Sequence, residues 1–378
     1  MIKFMHIADL HMGSGFRMFP GKEERLRQYQ ISALTRITSE IIKRAPHILL
    51  VAGDLFDDSS AADPQAAGVV EENFSRIAGE GIKILIVPGT HDSAGYAGSI
   101  FRKKNFGALH IFSSPEPERI LIETPGGPVN IWGFSYRPGY TGTNPLELIK
   151  AQSGVNLLLA HASVIFNPEW KARSKDFPVT PGDLDRFPFD YWALGHYHGY
   201  QELYNSSKKL IGAYPGIPFS RSFSEPGEGF IIYGEIKAGA GVSLTKIKVS
   251  DSVFISGSLD MAGIKSDESL KKILLDKYPG GCFLKLVLEG SASYIPDTDS
   301  LSAGLSDRFS FISLIDETLL VSPALEISAA SESAIMGDFI KKIRTLIAEA
   351  PDEESRSVRS EALRRALYYF GRAGDNNR

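Results

Sequence analysis

The order of apolar segments in the N-terminal part of the chain most constrains its fold. Short, continuously apolar runs at 2–8, 47–53 and 82–89 alternate with segments at 22–45 and 64–79, whose apolar residues recur near a 3.6-residue period. A run that is apolar throughout is typical of a strand buried on both faces. The resulting β-α-β-α-β order predicts a parallel sheet covered by helices.

The same patterns divide the whole chain into parts. Further strands are predicted at the apolar runs 129–135, 156–163, 191–198, 282–290 and 308–316. Further helices are predicted at 267–277, 334–349 and 352–370. We therefore expect a main domain over 1–245, a small α/β domain over 250–330 and closing helices over 331–378. Such closing helices pack on their own domain or bind a partner.

Composition excludes several classes of protein. With 378 residues, of which 43% are apolar and 23% charged, the chain can form a large globular core. Its single cysteine, Cys282, excludes an internal disulfide framework and a thiolate zinc site. No apolar run approaches the roughly 20 residues that span a membrane, so we expect a cytoplasmic protein. A net charge of −4 argues against general affinity for nucleic acid through bulk electrostatics.

Polar clusters follow the predicted strands. Their candidate functional residues are Asp9, His11, Asp54, His91, His161, His196 and His198. Taken alone, each cluster is typical of a surface turn, a helix start or a hydrogen-bonded core histidine. Together they indicate a site, because residues beyond the carboxyl ends of the strands in an open α/β sheet converge at one edge.

The side chains in these clusters are the ligands that particular metals prefer. Imidazole nitrogen and carboxylate oxygen, without thiolate, suit manganese, iron or zinc better than calcium. The candidates suffice for two ions, and a shared aspartate would hold two ions roughly 3.5–4 Å apart, as in two-metal hydrolases. Such a pair binds phosphate oxygens and activates water, so hydrolysis of a phosphate ester is the predicted reaction.

The order of the motifs resembles that of the calcineurin-like metallophosphoesterases: D-x-H, G-D-x-x-D, G-N-H-D, an isolated histidine and G-H-x-H. The resemblance covers residues 1 to about 235 and implies a β-sheet sandwich flanked by helices, followed here by the smaller C-terminal α/β domain. It also implies a first metal held by Asp9, His11, Asp54 and His198. Asp54 would be shared with a second metal, held also by His161 and His196, and His91 would be the general acid. Manganese is the expected metal.

Three segments are similar to the SbcD-like exonuclease subunits of double-strand-break repair: KFMHIADLHMGSGF (3–16), VAGDLFDD (51–58) and GAYPGIPFSRSFSE (212–225). The resemblance implies DNA as substrate, an SMC-like ATPase as partner, a homodimer, and a C-terminal domain that caps the DNA-binding cleft. It places substrate contacts at Tyr214, Pro215 and Gly216. In the last segment, Ile217 replaces the serine that is usual there.

One departure from the family pattern concerns the second metal. The asparagine of G-N-H-D is a metal ligand, and this chain has Thr90 in its place. A threonine hydroxyl is a shorter and weaker ligand, so our hypothesis is a working site with weakened affinity for the second ion. Two alternatives stay open at this point. One is a phosphatase or phosphodiesterase acting on a small molecule or phosphoprotein, and the other is a catalytically impaired DNA-binding subunit.

Overall fold

The computed structural model of the chain consists of two compact units, Met1–Ser252 and Val253–Arg378. The structure describes all residues except 58–63, 105, 108, 136–143, 151, 167–176, 226, 252, 321–334 and 376–378. Parts of the predicted closing region 331–378 therefore lie outside the described residues. Within the described ranges, no helix combines the length and the apolar character needed to cross a membrane.

The first unit contains fourteen of the strands and five of the helices that we number here. The strands are β1 (Ile2–Ile7), β2 (Ile48–Ala52), β3 (Lys83–Val87), β4 (His110–Ile111), β5 (Glu118–Thr124), β6 (Gly127–Gly133), β7 (Val155–His161), β8 (Ser163–Val164), β9 (Pro178–Val179), β10 (Tyr191–Gly195), β11 (Gln201–Tyr204), β12 (Leu210–Tyr214), β13 (Gly229–Lys237) and β14 (Gly241–Ser250). The helices are α1 (Glu23–Arg44), α2 (Pro64–Gly79), α3 (Ile100–Lys103), α4 (Pro145–Leu148) and α5 (Pro181–Arg186).

Two six-stranded sheets form the centre of this unit. The first has the order β14-β13-β1-β2-β3-β4, in which β1 to β4 are parallel and β13 is antiparallel to β1. The second has the order β11-β12-β10-β7-β6-β5, with four parallel strands between antiparallel edges. The strand ends that carry polar clusters thus belong to two sheets, whereas the residue pattern alone predicted a single parallel one.

The two sheets pack face to face. Phe4 and Leu50 of the first sheet and Leu157 and Tyr191 of the second belong to the apolar layer between them. On the outer face of the first sheet, α1 and α2 cover a second apolar layer. All residues of β2, β7 and β10 are buried, as continuous apolar runs predict. The predicted fold class, an α/β sandwich flanked by helices, is confirmed.

The two long helices of this unit follow from local sequence signals. α1 has Glu23 and Glu24 in its first turn and Lys43 and Arg44 in its last, which suits the helix dipole. α2 begins at Pro64, where the lost backbone N–H would have had no partner within the helix. Both lie within one residue of the predicted bounds.

The second unit is a smaller α/β body. It contains β15 (Phe254–Asp260), α6 (Asp267–Lys277), β16 (Phe283–Glu289), β17 (Ser291–Ala292), α7 (Thr298–Gly304), β18 (Phe311–Asp316), β19 (Leu319–Leu320), α8 (Ile335–Ala348) and α9 (Glu353–Asp375). β15, β16 and β18 form a parallel sheet, and its core includes Leu270, Leu274 and Leu284. The predicted helix 267–277 is confirmed. The DNA-capping role of this region stays a prediction.

Candidate metal centre

The predicted site residues meet where strands of both sheets end. They lie after β1 (Asp9 and His11), after β2 (Asp54), after β3 (Thr90 and His91), at the end of β7 (His161) and after β10 (His196 and His198). β1, β2 and β3 are neighbours in the first sheet, and β7 and β10 are neighbours in the second. The fold therefore brings residues from five separate stretches of sequence to one end of the sandwich.

Backbone hydrogen bonds tie the loops after β1 and β2 together. The Asp9 N–H donates to the Gly53 carbonyl at 3.0 Å, and the His11 N–H donates to the Asp54 carbonyl at 2.8 Å. Asp9, His11 and Asp54 all have left-handed backbone conformations, with φ of 54°, 45° and 48°. Such conformations cost about 1–3 kcal/mol each and persist only where the surroundings enforce them. Three strained backbones thus lie together at the ends of β1 and β2, where the hydrogen bonds between the two loops help to enforce them.

Two glycines allow the close approach of these loops. Gly53 has φ of 88°, and a Cβ added there would overlap the imidazole of His161. A Cβ at Gly89 would overlap both the carboxylate and the backbone nitrogen of Asp54. Any larger residue at either position would therefore displace a candidate ligand.

Four candidates form a buried group that we call the floor: Asp9, His11, Asp54 and His161. His161 Nδ1 lies 3.0 Å from the Ala52 carbonyl. Because a carbonyl can only accept, Nδ1 carries the proton in this hydrogen bond. His161 Nε2 then faces Asp54 Oδ2 at 3.3 Å. The main chain of β2 thus orients the His161 ring from one side, leaving Nε2 for a ligand.

Donor atoms in and beside the floor are close enough to share metal ions. Among the described residues, three sets of three have donor atoms within 4.8 Å of one another: Asp9, His11 and His198; Asp9, Asp54 and His161; and His11, Asp57 and His91. Asp9 belongs to the first two sets, and His11 belongs to the first and the third. The assignment implied by the resemblance, in which Asp54 is the shared ligand, stays a prediction.

The pKa values of the floor residues are shifted by burial and by one another. Burial raises the pKa of Asp9 to about 6, although His161 works in the opposite direction. Burial also acts to raise the pKa of Asp54, but the neighbouring histidines, His161 above all, hold it well below its usual range. The same carboxylates outweigh the effect of burial on His161 and raise its pKa to about 10. Either a proton on His161 or a divalent cation would balance the negative charge of Asp9 and Asp54.

The chemistry of the floor fits a divalent metal. Both ring nitrogens of His11 are buried and lack a hydrogen-bond partner within the described part of the chain. Burial is the main reason that the pKa of His11 lies well below its usual value, so its ring is neutral and able to bind a metal. An unpaired buried polar atom is costly, and a metal bond would remove that cost. With two carboxylates and two imidazoles, the donor set is one that manganese, iron or zinc accepts.

His196 contributes mainly through its backbone. Its N–H donates to both carboxylate oxygens of Asp9, at 3.2 and 3.1 Å, and its φ of 115° lies in the range that L residues rarely adopt. The ring packs edge-on against His161, with centroids 5.2 Å apart. The structure therefore places the His196 main chain against Asp9 and the His196 ring against His161.

Thr90 and His91 both contact Asp54. The Thr90 hydroxyl donates to Asp54 Oδ2 at 3.4 Å, and the His91 N–H donates to Asp54 Oδ1 at 2.8 Å. The residue that departs from the family pattern is thus directly beside a candidate ligand. Its role toward a second metal stays a prediction.

A second group, which we call the rim, surrounds the opening of the floor and consists of Asp57, His91, His198, Arg221 and Glu225. The His91 side chain is 43% exposed, and its Nδ1 lies 3.4 Å from Asp57 Oδ1. Its ring packs edge-on against that of His11, with centroids 4.9 Å apart. His91 therefore lies between the buried floor and solvent.

Sequence reasoning assigned no role to four charged residues in or beside the site: Asp57, Asp92, Arg221 and Glu225. Buried Asp92 accepts from the backbone N–H groups of Phe56 and Gly89, at 3.0 and 2.7 Å, and so ties together the loops after β2 and β3. Asp92 is the last residue of the segment that matches the G-N-H-D motif, and Asp57 is the last residue of G-D-x-x-D, so both could have been found from the motifs. The segment FSRSFSE contains the other two, but no spacing rule indicates their partners.

Of the three predicted substrate contacts, Tyr214 is the last residue of β12, and Pro215 and Gly216 lie in the turn that follows. Tyr214 is fully buried, and its hydroxyl accepts from the Val164 N–H at 2.9 Å and donates to the Ala162 carbonyl at 2.8 Å. Gly216, next to Pro215, has φ of 76° and packs closely on the backbone around His198. In the structure this turn supports the loops after β7 and β10, and substrate contact there stays a prediction.

Comparison with known proteins yields one family and several relatives. Residues 2–200 match the calcineurin-like phosphoesterase family. The uncharacterized metallophosphoesterase YhaO of Bacillus subtilis is 25% identical over 305 residues, which are 77% of this chain and 72% of YhaO.

Two further relatives have names that specify an activity or a process. The SbcD component of the nuclease SbcCD from Staphylococcus epidermidis is 26% identical over 59% of this chain and 63% of its own length. The DNA double-strand break repair protein Mre11 of Archaeoglobus fulgidus is 27% identical over 57% of this chain and 49% of its own length. The similarity thus covers only part of each relative.

Proposed function

Because this chain belongs to the calcineurin-like phosphoesterase family, we propose that it is a metal-dependent DNA nuclease, an exonuclease or endonuclease subunit of a double-strand-break repair complex. The observation that carries the proposal is the floor, where buried carboxylates and imidazoles from both sheets lie close together. Buried charge of this kind is characteristic of functional sites. Cleavage of a phosphodiester bond is the reaction that suits it.

The residues of the floor would hold two divalent ions together with His196 and His198, and manganese is the metal that we propose. When bound, such ions supply a Lewis acid for phosphate oxygens and activate water. The floor keeps bulk solvent away from its carboxylates, so electrostatic interactions there are stronger than in water. The loops after β1 and β2 fix the carboxylates before substrate arrives.

His91 is the residue that we propose as general acid. It is partly exposed beside the floor, and Asp57 lies within 3.4 Å of its Nδ1. A carboxylate beside one ring nitrogen orients the imidazole. His91 would then give its proton to the leaving oxygen of the cleaved ester.

DNA as substrate is supported by the names of two relatives, a nuclease component and a DNA double-strand break repair protein. The same resemblance supports an SMC-like ATPase as partner, a homodimer, and a capping role for the small C-terminal domain. The closing helices are the proposed contact for the ATPase. A cytoplasmic location belongs to the same proposal.

Degradation of defined DNA substrates tests this function. Linear duplex, hairpin and single-stranded DNA would be incubated with the protein and manganese, beside the small phosphodiester bis-p-nitrophenyl phosphate. We expect metal-dependent loss of DNA from ends or hairpins. In His91→Ala the rate should fall by about 10²–10⁴ because the general acid is missing, while calorimetry shows that manganese still binds.

His110→Ala is the matched control, because His110 pairs with Glu118 and lies in β4, an edge strand of the first sheet. Its rates should equal those of the wild type. Hydrolysis of the small phosphodiester without any DNA cleavage would contradict the nuclease proposal and favour a small-molecule phosphodiesterase. Binding of DNA without hydrolysis of any substrate would favour the impaired DNA-binding subunit.

A further inference from the structure

The segment from Tyr214 to Glu225 contacts the loop that carries His198 at several points. The Ile217 N–H donates to the His198 carbonyl at 3.0 Å. A Cβ at Gly216 would crowd the same carbonyl and the Tyr200 nitrogen. These contacts place the main chain of His198 and leave its ring to be oriented by side chains.

Glu225 orients that ring. Its Oε1 lies 3.3 Å from His198 Nδ1, and the Glu225 side chain is only 9% exposed. With Nδ1 held by a carboxylate, Nε2 is the nitrogen left for a metal. Metal-binding histidines are commonly oriented in this way.

Arg221 joins this pair to the other side of the rim. Its Nε and Nη2 donate to Glu225 Oε1 at 3.1 and 2.7 Å. Its Nη1 lies 3.5 Å from Asp57 Oδ2. One planar guanidinium therefore spans two carboxylates, an arrangement that the single ammonium of lysine cannot reproduce.

Asp57 completes the connection. Its Oδ1 lies 3.4 Å from His91 Nδ1, and its Oδ2 accepts from the Ser14 hydroxyl at 2.8 Å. The order of contacts across the rim is thus His198, Glu225, Arg221, Asp57 and His91. A candidate metal ligand stands at one end and the proposed general acid at the other.

We infer that Arg221 is a positioning residue that sets His198 and His91 at the same time, by holding Glu225 and Asp57 in place. This inference rests on the proposed function only for the role of His91. Loss of the guanidinium removes the contact that links the two carboxylates, so the metal ligand and the general acid lose part of their orientation together. Glu225 keeps the Arg221 backbone N–H as a donor, and Asp57 keeps the Ser14 hydroxyl. Arg221 need not touch the substrate to have this effect.

The first measurement is metal binding by the full chain without substrate. Calorimetric titration with manganese should show about tenfold weaker binding in Arg221→Gln, the lower end of the loss expected when an outer-shell partner of a ligand is removed. Glu225→Gln should weaken binding to a similar degree. Arg186→Gln is the matched control, since it removes an exposed Arg–Glu pair with Glu147 elsewhere in the unit and should bind manganese like the wild type.

The second measurement reports on His91. Rates with bis-p-nitrophenyl phosphate would be compared with those for diphenyl phosphate, whose more basic leaving oxygen depends more on a general acid. In Arg221→Gln the ratio of these rates should rise about tenfold, the size of effect expected for an outer-shell partner. In Glu225→Gln the ratio should stay at its wild-type value, because Asp57 still orients His91. Arg221→Lys should lie between Arg221→Gln and the wild type in both measurements.

Wild-type manganese affinity in Arg221→Gln would overturn the inference, and so would an unchanged rate ratio, because Arg221 must act on both ends. Full rescue by lysine would also overturn it, since charge alone would then suffice. Circular dichroism confirms that each variant is folded, and Glu225→Gln tests the His198 end independently if Arg221→Gln does not fold. Because neither measurement uses DNA, failure to cleave DNA would overturn the proposed function and leave this inference intact.

Discussion

The floor and the rim of the candidate site lie next to each other, yet different forces hold them. Strained backbone, glycine contacts and main-chain hydrogen bonds fix the floor, and its side chains are buried. Ion pairs between partly exposed side chains hold the rim together. Exposed ion pairs are individually weak, whereas buried charges are costly to disturb. We therefore expect metal affinity to depend mainly on the floor and on His198, and orientation and proton transfer to depend on the other residues of the rim.

The same substitution in both groups is the most direct test of the difference between the floor and the rim. Asp54→Asn removes a charge from the floor, and Asp57→Asn removes one from the rim. We expect Asp54→Asn to weaken manganese binding by at least about a thousandfold, because a buried carboxylate ligand is lost. Asp57→Asn should keep metal affinity within about tenfold and lower turnover. Calorimetry and hydrolysis of bis-p-nitrophenyl phosphate measure both, and equal losses of affinity would contradict the distinction.

A pair of glycine substitutions tests how the floor is built. In Gly53→Ala the new methyl group overlaps His161 and the backbone has φ of 88°, so we expect a loss of at least about 3 kcal/mol in the free energy of unfolding. Gly199→Ala is the control at the edge of the site, where a Cβ meets open space. It should change stability by less than about 1 kcal/mol. Urea denaturation measures both, and a Gly53→Ala protein as stable as Gly199→Ala would show that the floor is not tightly packed.

Removal of the metal should destabilise the protein through the floor. At manganese concentrations about 100 times the dissociation constant, binding stabilises the folded state by about 2.7 kcal/mol. A chelator should therefore lower the melting temperature of the wild type and of Asp57→Asn, and leave that of Asp54→Asn unchanged. A chelator-induced shift in Asp54→Asn would locate the metal outside the floor.

The smallest expected effect concerns Thr90, which contacts the floor from the loop after β3. Thr90→Asn restores the longer amide ligand of the family pattern, so the second manganese should bind more tightly by about tenfold, a change of about 1.4 kcal/mol. Calorimetric titration resolves the two binding events, and Thr90→Ser serves as a control that keeps a hydroxyl. Two equally tight ions in the wild type would contradict weakened binding at the second site.

Much of the floor could be predicted because its signals are local. Asp9, His11 and Asp54 follow runs whose continuous apolar character already indicates buried strands, and polar residues beyond parallel strands converge at a sheet end. Gly53 and Gly89 stand in the same motifs. The rim could not be predicted in this way. Arg221 and Glu225 lie more than 160 positions after Asp57, and nothing in a local pattern indicates which carboxylate an arginine will contact.

The sequence by itself determined the main buried strands and the long helices, since hydrophobic periodicity acts over a few residues, and it determined which side chains stand at the ends of those strands. Short elements such as β4, β8, β9 and α3 were not predicted. Only the tertiary structure decided that these strands form two facing sheets, that the turn at Tyr214–Gly216 supports neighbouring loops, and that Arg221 spans two carboxylates. These outcomes depend on packing between segments far apart in the chain. Burial and ion pairing arise only when the sheets close on each other, and so no local pattern encodes them.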